Sequence, residues 1–487
     1  MAQKHLFFLL TITALFTTGC YRMRASNGGA QIKGLPTRTI NAADVALPPG
    51  YTIEAVASGL TFPSAVTFDD EGALYVIETG YAYGEVWERP RLLRVSADGT
   101  TTIVATGDNN GPWNGITWHG GAFYVAEGGE REGGRILRIS KSGTITPLIS
   151  NLPSYGDHHT NGPVIKDGYI YFAIGTATNS GVVGPDNAEY GWLKRRPNFH
   201  DIPCKDVILS GINYTTSNVL TGGENDEATT GAFVPFGTAT TAGQVVKGTL
   251  PCGGAILRLP LNGGNVELVA WGLRNPYGLA MAPDGRLFAT ENAYDDRGSR
   301  PLWGSGDVLW EIKNDLWYGF PDYSAGSPVW DREEYKVPGK EKVKRVLQQH
   351  PNTPPKPAAI LGVHSSSNGF DFSRSDVFGF KGEAFVAQLG DMAPKVGKVL
   401  APVGFKVVRV DVGTGVVRDF AVNKGKRNGP ASWLKGGGLE RPLSAKFHPD
   451  GSALYIADFG IMPVTKEGIL PQKGTGVIWK ISKTATK

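Results

Sequence analysis

One pattern returns six times along the chain, and short strand-forming units repeated in this way bury their apolar faces by stacking on one another. Each copy is a loop with Pro, Asn or His, a short apolar strand, a glycine turn, and a strand of aromatic and β-branched residues. The copies read FPSAVTFDDEGALYVIET from Phe62, WNGITWHGGAFYVAEG from Trp113, and HHTNGPVIKDGYIYFAIG from His158. They continue as NPYGLAMAPDGRLFATEN from Asn275, SSNGFDF then FKGEAFVAQLG from Ser366, and RPLSAKFHPDGSALYIADFG from Arg441. A third strand follows each (RLLRVS, RILRIS, AILRLP, DVLWEI, KVVRV, GVIWKIS), and several add a fourth (TTIVATG, TITPLIS, NVELVAWG, VVRDFAV).

Six units of four antiparallel strands predict an all-β, six-bladed β-propeller with four-stranded blades over residues 47–483. The last copy ends at Ile481 without a fourth strand, whereas YTIEAVASGL (51–60) has the fourth-strand pattern. The N-terminal strand is therefore expected to complete the last blade and remove an open edge. Composition agrees: Gly (66) and Pro (32) supply the turns, and charged residues are only 19%. A net charge of +4 with no basic stripe excludes nucleic acid as an expected partner. Spacing places inserted material at 178–252 and 320–362, and long insertions on one rim of such a fold commonly wall a site.

Residues 1–20 have a positive start, an apolar stretch too short to span a bilayer, and Thr17-Thr18-Gly19-Cys20. This reads as a signal whose end resembles the bacterial lipobox, with Cys20 acylated, residues 21–46 as a flexible tether, and membrane contact only through the lipid. The expected location is the periplasmic side of a membrane or the cell surface. With Cys20 lipidated, Cys204 and Cys252 remain as an even pair in an oxidising compartment, and a disulfide is expected between them.

Aligned on the shared turn, Phe62, Asn114, His158, Asn275, His364 and Arg441 enter the innermost strands and should ring one channel mouth, with Arg274 beside them. Two histidines, two asparagines and two arginines point to an anionic ligand, since arginine forks onto carboxylates. Trp303, Trp317 and Tyr323 are candidates for substrate contact.

GDHHTNGPVIKDGYIYFAIG (156–175) and WGLRNPYGLAMAPDGRLFATEN (271–292), the latter followed by WYGFPDY (317–323), resemble stretches of the soluble quinoprotein glucose and sorbosone dehydrogenases, including pyranose dehydrogenase relatives. The resemblance implies pyrroloquinoline quinone (PQQ) and Ca²⁺ at the channel mouth and oxidation of an aldose hydroxyl or sugar aldehyde. It implies His158 as general base, hydride transfer to the quinone, Asp157 orienting the imidazole, and Arg274 assisting the developing charge. Cofactor contacts then fall to Asn114, Arg274, Asn275, His364 and Arg441. Calcium falls to the backbone carbonyls of Ala293 and Tyr294. Ser64 and Gly390-Asp391 stand where some relatives carry Arg and Lys, with Lys395 and Lys398 nearby. No CxxCH motif for attached haem occurs, so electrons are expected to leave to a separate soluble cytochrome or quinone pool. The alternatives are a non-enzymatic cell-surface binding propeller and a Ca²⁺-dependent lactonase-like hydrolase, which needs carboxylates converging in the channel.

Overall fold

The computed structural model describes residues 36–82, 86–129, 131–189, 191–223, 225–465 and 468–484. Six antiparallel blades surround a channel. Their inner strands are Pro63–Phe68, Trp113–His119, Thr160–Lys166, Pro276–Met281, Ser367–Phe372 and Pro442–Phe447. Tyr51–Leu60 pairs with Gly476–Lys483, from Tyr51 opposite Lys483 to Leu60 opposite Gly476, and so completes blade six as expected.

Each second strand is covered on both faces by neighbouring blades, so polar alternation disappears: Ala122–Glu127 is buried throughout. The outermost strand of blade one, Thr101–Thr106, is mostly exposed or half-buried. The inner strands approach so closely that a Cβ on Gly115 would strike the Gly162 carbonyl, and one on Gly278 the Asn368 carbonyl. This explains the glycine that follows Asn or Tyr in these copies.

A polar residue ends the second strand in five of the six blades and ties down the loop entering the channel. Glu78 accepts from Thr61 N (2.7 Å), and Glu127 from Asn110 Nδ2 (2.9 Å) and Trp113 Nε1 (3.0 Å). Glu291 accepts from Arg274 N and from Trp310 Nε1 (2.5 Å). Gln388 donates to Leu361 O and Ser367 Oγ. Asp458 accepts from Glu440 N, Arg441 N and Trp479 Nε1. Blade three has Ile174 at this position.

Two boundaries differ from the sequence reading. The tether expected over 21–46 is already docked by Arg38, whose guanidinium meets Glu440 (3.4 Å) and Asp458 (3.2 Å), and Val45–Ala46 adds a strand to blade five. Buried carboxylates on blade six demand a cation, and Arg38 supplies it. The insertion expected over 320–362 contains the fourth strand of blade four, Ala359–Val363, whose AILGV lacks the aromatic and polar spacing of the other copies. The insertion after blade three's second strand carries a hairpin, Asn213–Ser217 with Glu227–Gly231, nested inside a second antiparallel pair, Val207–Ser210 with Ala242–Val246. Cys204 and Cys252 form a disulfide that closes it. Residues 1–20, Cys20 included, lie outside the described residues.

Candidate active site at the channel mouth

At the rim that receives the insertion, the channel widens into a cavity of two lobes sharing Asp157, His158, His159, Asn275 and Asn292. The outer lobe spans about 990 Å³ of empty space, part of it bulk solvent. The inner lobe runs down the axis over an apolar floor of Leu389, Leu443, Phe459 and Met462, with Asn114, Asn161 and Asn368 at its wall.

His158 is 7% exposed and stands on this wall. Its Nδ1 lies 2.9 Å from Thr176 O and 3.1 Å from Thr176 Oγ1. The Thr176 hydroxyl donates to Thr178 O (2.8 Å), so both Thr176 oxygens face Nδ1 as acceptors. That requires the proton on Nδ1 and leaves Nε2 bare. Burial, then the positive charge of Arg274, pushes His158 down to about 3 against the opposing pull of Asp157. The ring is neutral at pH 7. Asp157 approaches Nε2 at 3.8 Å rather than Nδ1, so the expected orienting role falls to Thr176 instead. The substitution of roles has a plain cause: the Asp157 carboxylate is drawn away by Arg297.

Arg297, which the sequence reading did not single out, is the charge centre of the outer lobe. It pairs with Asp157, with Asp186 (2.9 Å) and with Asp295 (3.1 Å). Burial raises the Asp295 carboxyl, but Arg297 and then Arg274 outweigh it and bring it to about 2. Asp186, where burial dominates, stands near 6. Asp295 is thus an ion-pair hub; His364 Nδ1 lies 3.4 Å from it. These carboxylates offset the cations, so the mouth is not the purely cationic and neutral ring the sequence suggested. Arg297 stands in DDRGSR, a loop with no periodic pattern, and only its place directly after two acids hinted at it.

The remaining candidates divide. Arg274 lines the outer lobe, but four of its N–H groups already serve Asn179 O (2.9 Å), Asn179 Oδ1 (2.8 Å), Asn292 O (3.2 Å) and Asp295 (3.1 Å). Asn114 donates to Thr160 O and Asn275 to Asn292 Oδ1, both on the cavity wall. His364 lines the outer lobe with φ of 53°, and its Nε2 is buried without a partner. Ala293 reaches the outer lobe, whereas Tyr294 faces a separate small pocket behind Arg274.

Arg441 is corrected: it is 1% exposed, does not line the cavity, and points into the carbonyls of Leu389, Gly390 and Asp391 (3.3 Å each) and Met462 (3.1 Å). Register fixes where its Cα stands, and this carbonyl cage decides where its side chain goes. Lys395 reaches the outer lobe and meets Glu189 of the insertion (2.6 Å), while Lys398 turns to Glu334 O. Trp317 and Tyr323 pack around His350 in the core. Trp303 does not line either lobe.

Blade number, closure and a polar cavity at one mouth define a six-bladed propeller with a channel-mouth site. No family model matches the sequence, and no curated protein matches it. Solved structures do match. A Trichoderma reesei protein of the carbohydrate-active enzyme family AA12 aligns at TM-score 0.54 and 15% identity, over 92% of this chain and 99% of that one. The holo PQQ domain of pyranose dehydrogenase from Coprinopsis cinerea aligns at 0.52 and 15%, over 92% and 98%. The PQQ-bound aldose sugar dehydrogenase of Streptomyces coelicolor aligns at 0.50 and 15%, over 90% and 99%. The chain has the fold of the PQQ-dependent sugar dehydrogenases.

Proposed function

We propose that the protein is a PQQ- and Ca²⁺-dependent dehydrogenase that oxidises a sugar, at an aldose hydroxyl or a sugar aldehyde, with His158 as general base. The observation that carries this reading is a neutral histidine whose proton is held on Nδ1 by Thr176 and whose bare Nε2 stands at the cavity wall.

The donor set suits a flat tricarboxylate. Arg297 and Lys395 line the outer lobe with Arg274. Among the described residues no cluster of three His, Cys, Asp or Glu side chains is built for a metal. Calcium would therefore rely on carbonyl oxygen, and neither the Ala293 nor the Tyr294 carbonyl accepts a hydrogen bond among the described residues. When bound, PQQ supplies a two-electron acceptor and calcium a Lewis acid.

The residues of the chain do the rest. An anion seated against Arg274 and Arg297 offsets two charges that depress His158, raising its basicity toward the working range. Nε2 then takes the proton of the sugar hydroxyl, and Asp157 at 3.8 Å stabilises the imidazolium. Asn275 and Asn292 present amides to the same space. Convergent Asp157, Asp186 and Asp295 would suit a calcium-dependent hydrolase, but Arg297 pairs with all three.

Electrons leave to a separate soluble cytochrome or quinone pool. The protein is exported and held at a membrane only through lipid on Cys20; among the described residues no helix is long and apolar enough to cross one. The test is spectroscopic: purified protein mixed with PQQ and Ca²⁺, then titrated with aldoses and a dye acceptor, shows bound quinone that aldoses reduce. Protein that binds PQQ but is reduced by no aldose contradicts the reading.

A further inference from the structure

One buried carboxylate near the base has no assigned task. Asp201 is 3% exposed, lies on the insertion, and pairs with no cationic side chain among the described residues. Its Oδ1 accepts from Ala177 N (2.7 Å) and Thr178 N (3.2 Å), and its Oδ2 from Thr178 Oγ1 (2.5 Å). Thr178 Oγ1 in turn accepts from Gly181 N (2.8 Å). The Thr178 carbonyl receives the Thr176 hydroxyl, and the Thr176 oxygens face His158 Nδ1. A buried carboxylate accepting several N–H and O–H groups holds its donors rigidly, because leaving any of them unpaired is costly.

Position makes the same point. The loop entering the channel is tied down in the other blades by a polar residue at the end of the second strand, and blade three has Ile174 there. Asp201 instead holds Ala177 and Thr178, just after that strand, and the Ala177 carbonyl in turn accepts from Asp157 N (3.2 Å) in the loop entering the channel. The disulfide at Cys204 and the bond from Gly253 N to Ile202 O (3.1 Å) fasten this part of the insertion to the start of the third strand.

We infer that Asp201 is a positioning residue for His158: by holding the Ala177 and Thr178 amides it fixes the Thr176 oxygens that keep the imidazole proton on Nδ1 and leave Nε2 bare toward the cavity. The inference rests on the reading of His158 as base.

The test uses the full chain with ¹⁵N-labelled histidine, without cofactor, the His158 signals being those lost in His158→Gln. Wild type shows the Nδ1–H tautomer alone. Asp201→Ala brings in the Nε2–H tautomer, and after loading with PQQ and Ca²⁺ its kcat falls by about tenfold or more while the sugar KM stays within about threefold. Asp201→Asn, which keeps an acceptor for the two amides, restores most of both. Thr178→Val removes only the hydroxyl contact, gives a smaller tautomer shift, and carries the test where Asp201→Ala does not fold. An unchanged His158 spectrum in the folded variants overturns the inference. The nitrogen signals need neither PQQ nor sugar, so wild type that oxidises no sugar would refute the proposed function and leave the tautomer result standing.

Discussion

Blades three and six bring a polar residue to the same register at the channel mouth, His158 in one and Arg441 in the other, and the two side chains have opposite fates. In blade six, Asp458 grips the entering loop through Glu440 N (2.9 Å) and Arg441 N (2.7 Å), and the Arg441 guanidinium sinks into a cage of carbonyls. In blade three no acid ends the second strand, Asp201 of the insertion holds the segment after it, which reaches the entering loop through Ala177 O and Asp157 N, and His158 is left lining the cavity with one nitrogen bare. A repeat position thus guarantees a place around the ring and nothing about use. In these two blades the residue held by the blade's own acid serves the scaffold, and the one beside the insertion lines the cavity.

The largest effect expected from this contrast is on stability in blade six. Asp458→Ala leaves two backbone N–H groups and Trp479 Nε1 without their acceptor and Arg38 with Glu440 as its one carboxylate, costing about 3–5 kcal/mol. Thermal unfolding should show a marked fall in Tm, with turnover per folded molecule unchanged. Lost turnover at an unchanged Tm would erase the distinction between the blades.

Arg441→Met comes next. Its carbonyl cage loses a charged donor, for about 2–3 kcal/mol, while PQQ affinity measured by fluorescence titration stays within about threefold. A tenfold loss of affinity would return Arg441 to the site.

The smallest effect sharpens the other half of the comparison. His158 titrates near 3 in the folded chain and near its ordinary 6.5 when unfolded, so between those values the folded protein binds fewer protons. Its contribution therefore falls as pH drops through that window, by at most about 1.4 kcal/mol per pH unit. His158→Gln lacks this loss. Denaturation midpoints of the two proteins, compared from pH 7 to pH 5.5, should shift toward one another in favour of the variant, by about 1.4 kcal/mol in all. A constant gap would mean His158 is not buried neutral.

The propeller was legible because its cause is periodic: apolar strands, glycine turns at fixed spacing, and a displaced N-terminal strand that fits the one incomplete blade. His158, Asn114, Asn275, Arg274 and His364 were legible as cavity residues because inner-strand register fixes where a Cα stands. Side-chain direction is not periodic. Arg441 was misread for that reason, since the carbonyls of 389–391 that capture it lie far away in sequence. Arg297, Thr176 and Asp201 went unread because each acts from a loop or insertion whose pairing spans no repeat. Asp157 was read as orienting the His158 ring, whereas it stands 3.8 Å from Nε2 and Thr176 holds Nδ1.

The central claim is that blade three's histidine performs the chemistry, and turnover of His158→Ala measured beside its Tm and its bound PQQ tests it most directly. Under the proposed function cofactor contacts fall to Arg274, Arg297 and Lys395 and not to His158, so the variant should load PQQ and Ca²⁺, retain a Tm close to wild type at neutral pH, and oxidise aldoses about 10²- to 10⁴-fold more slowly. A stable, PQQ-loaded His158→Ala protein with near wild-type turnover would contradict the account.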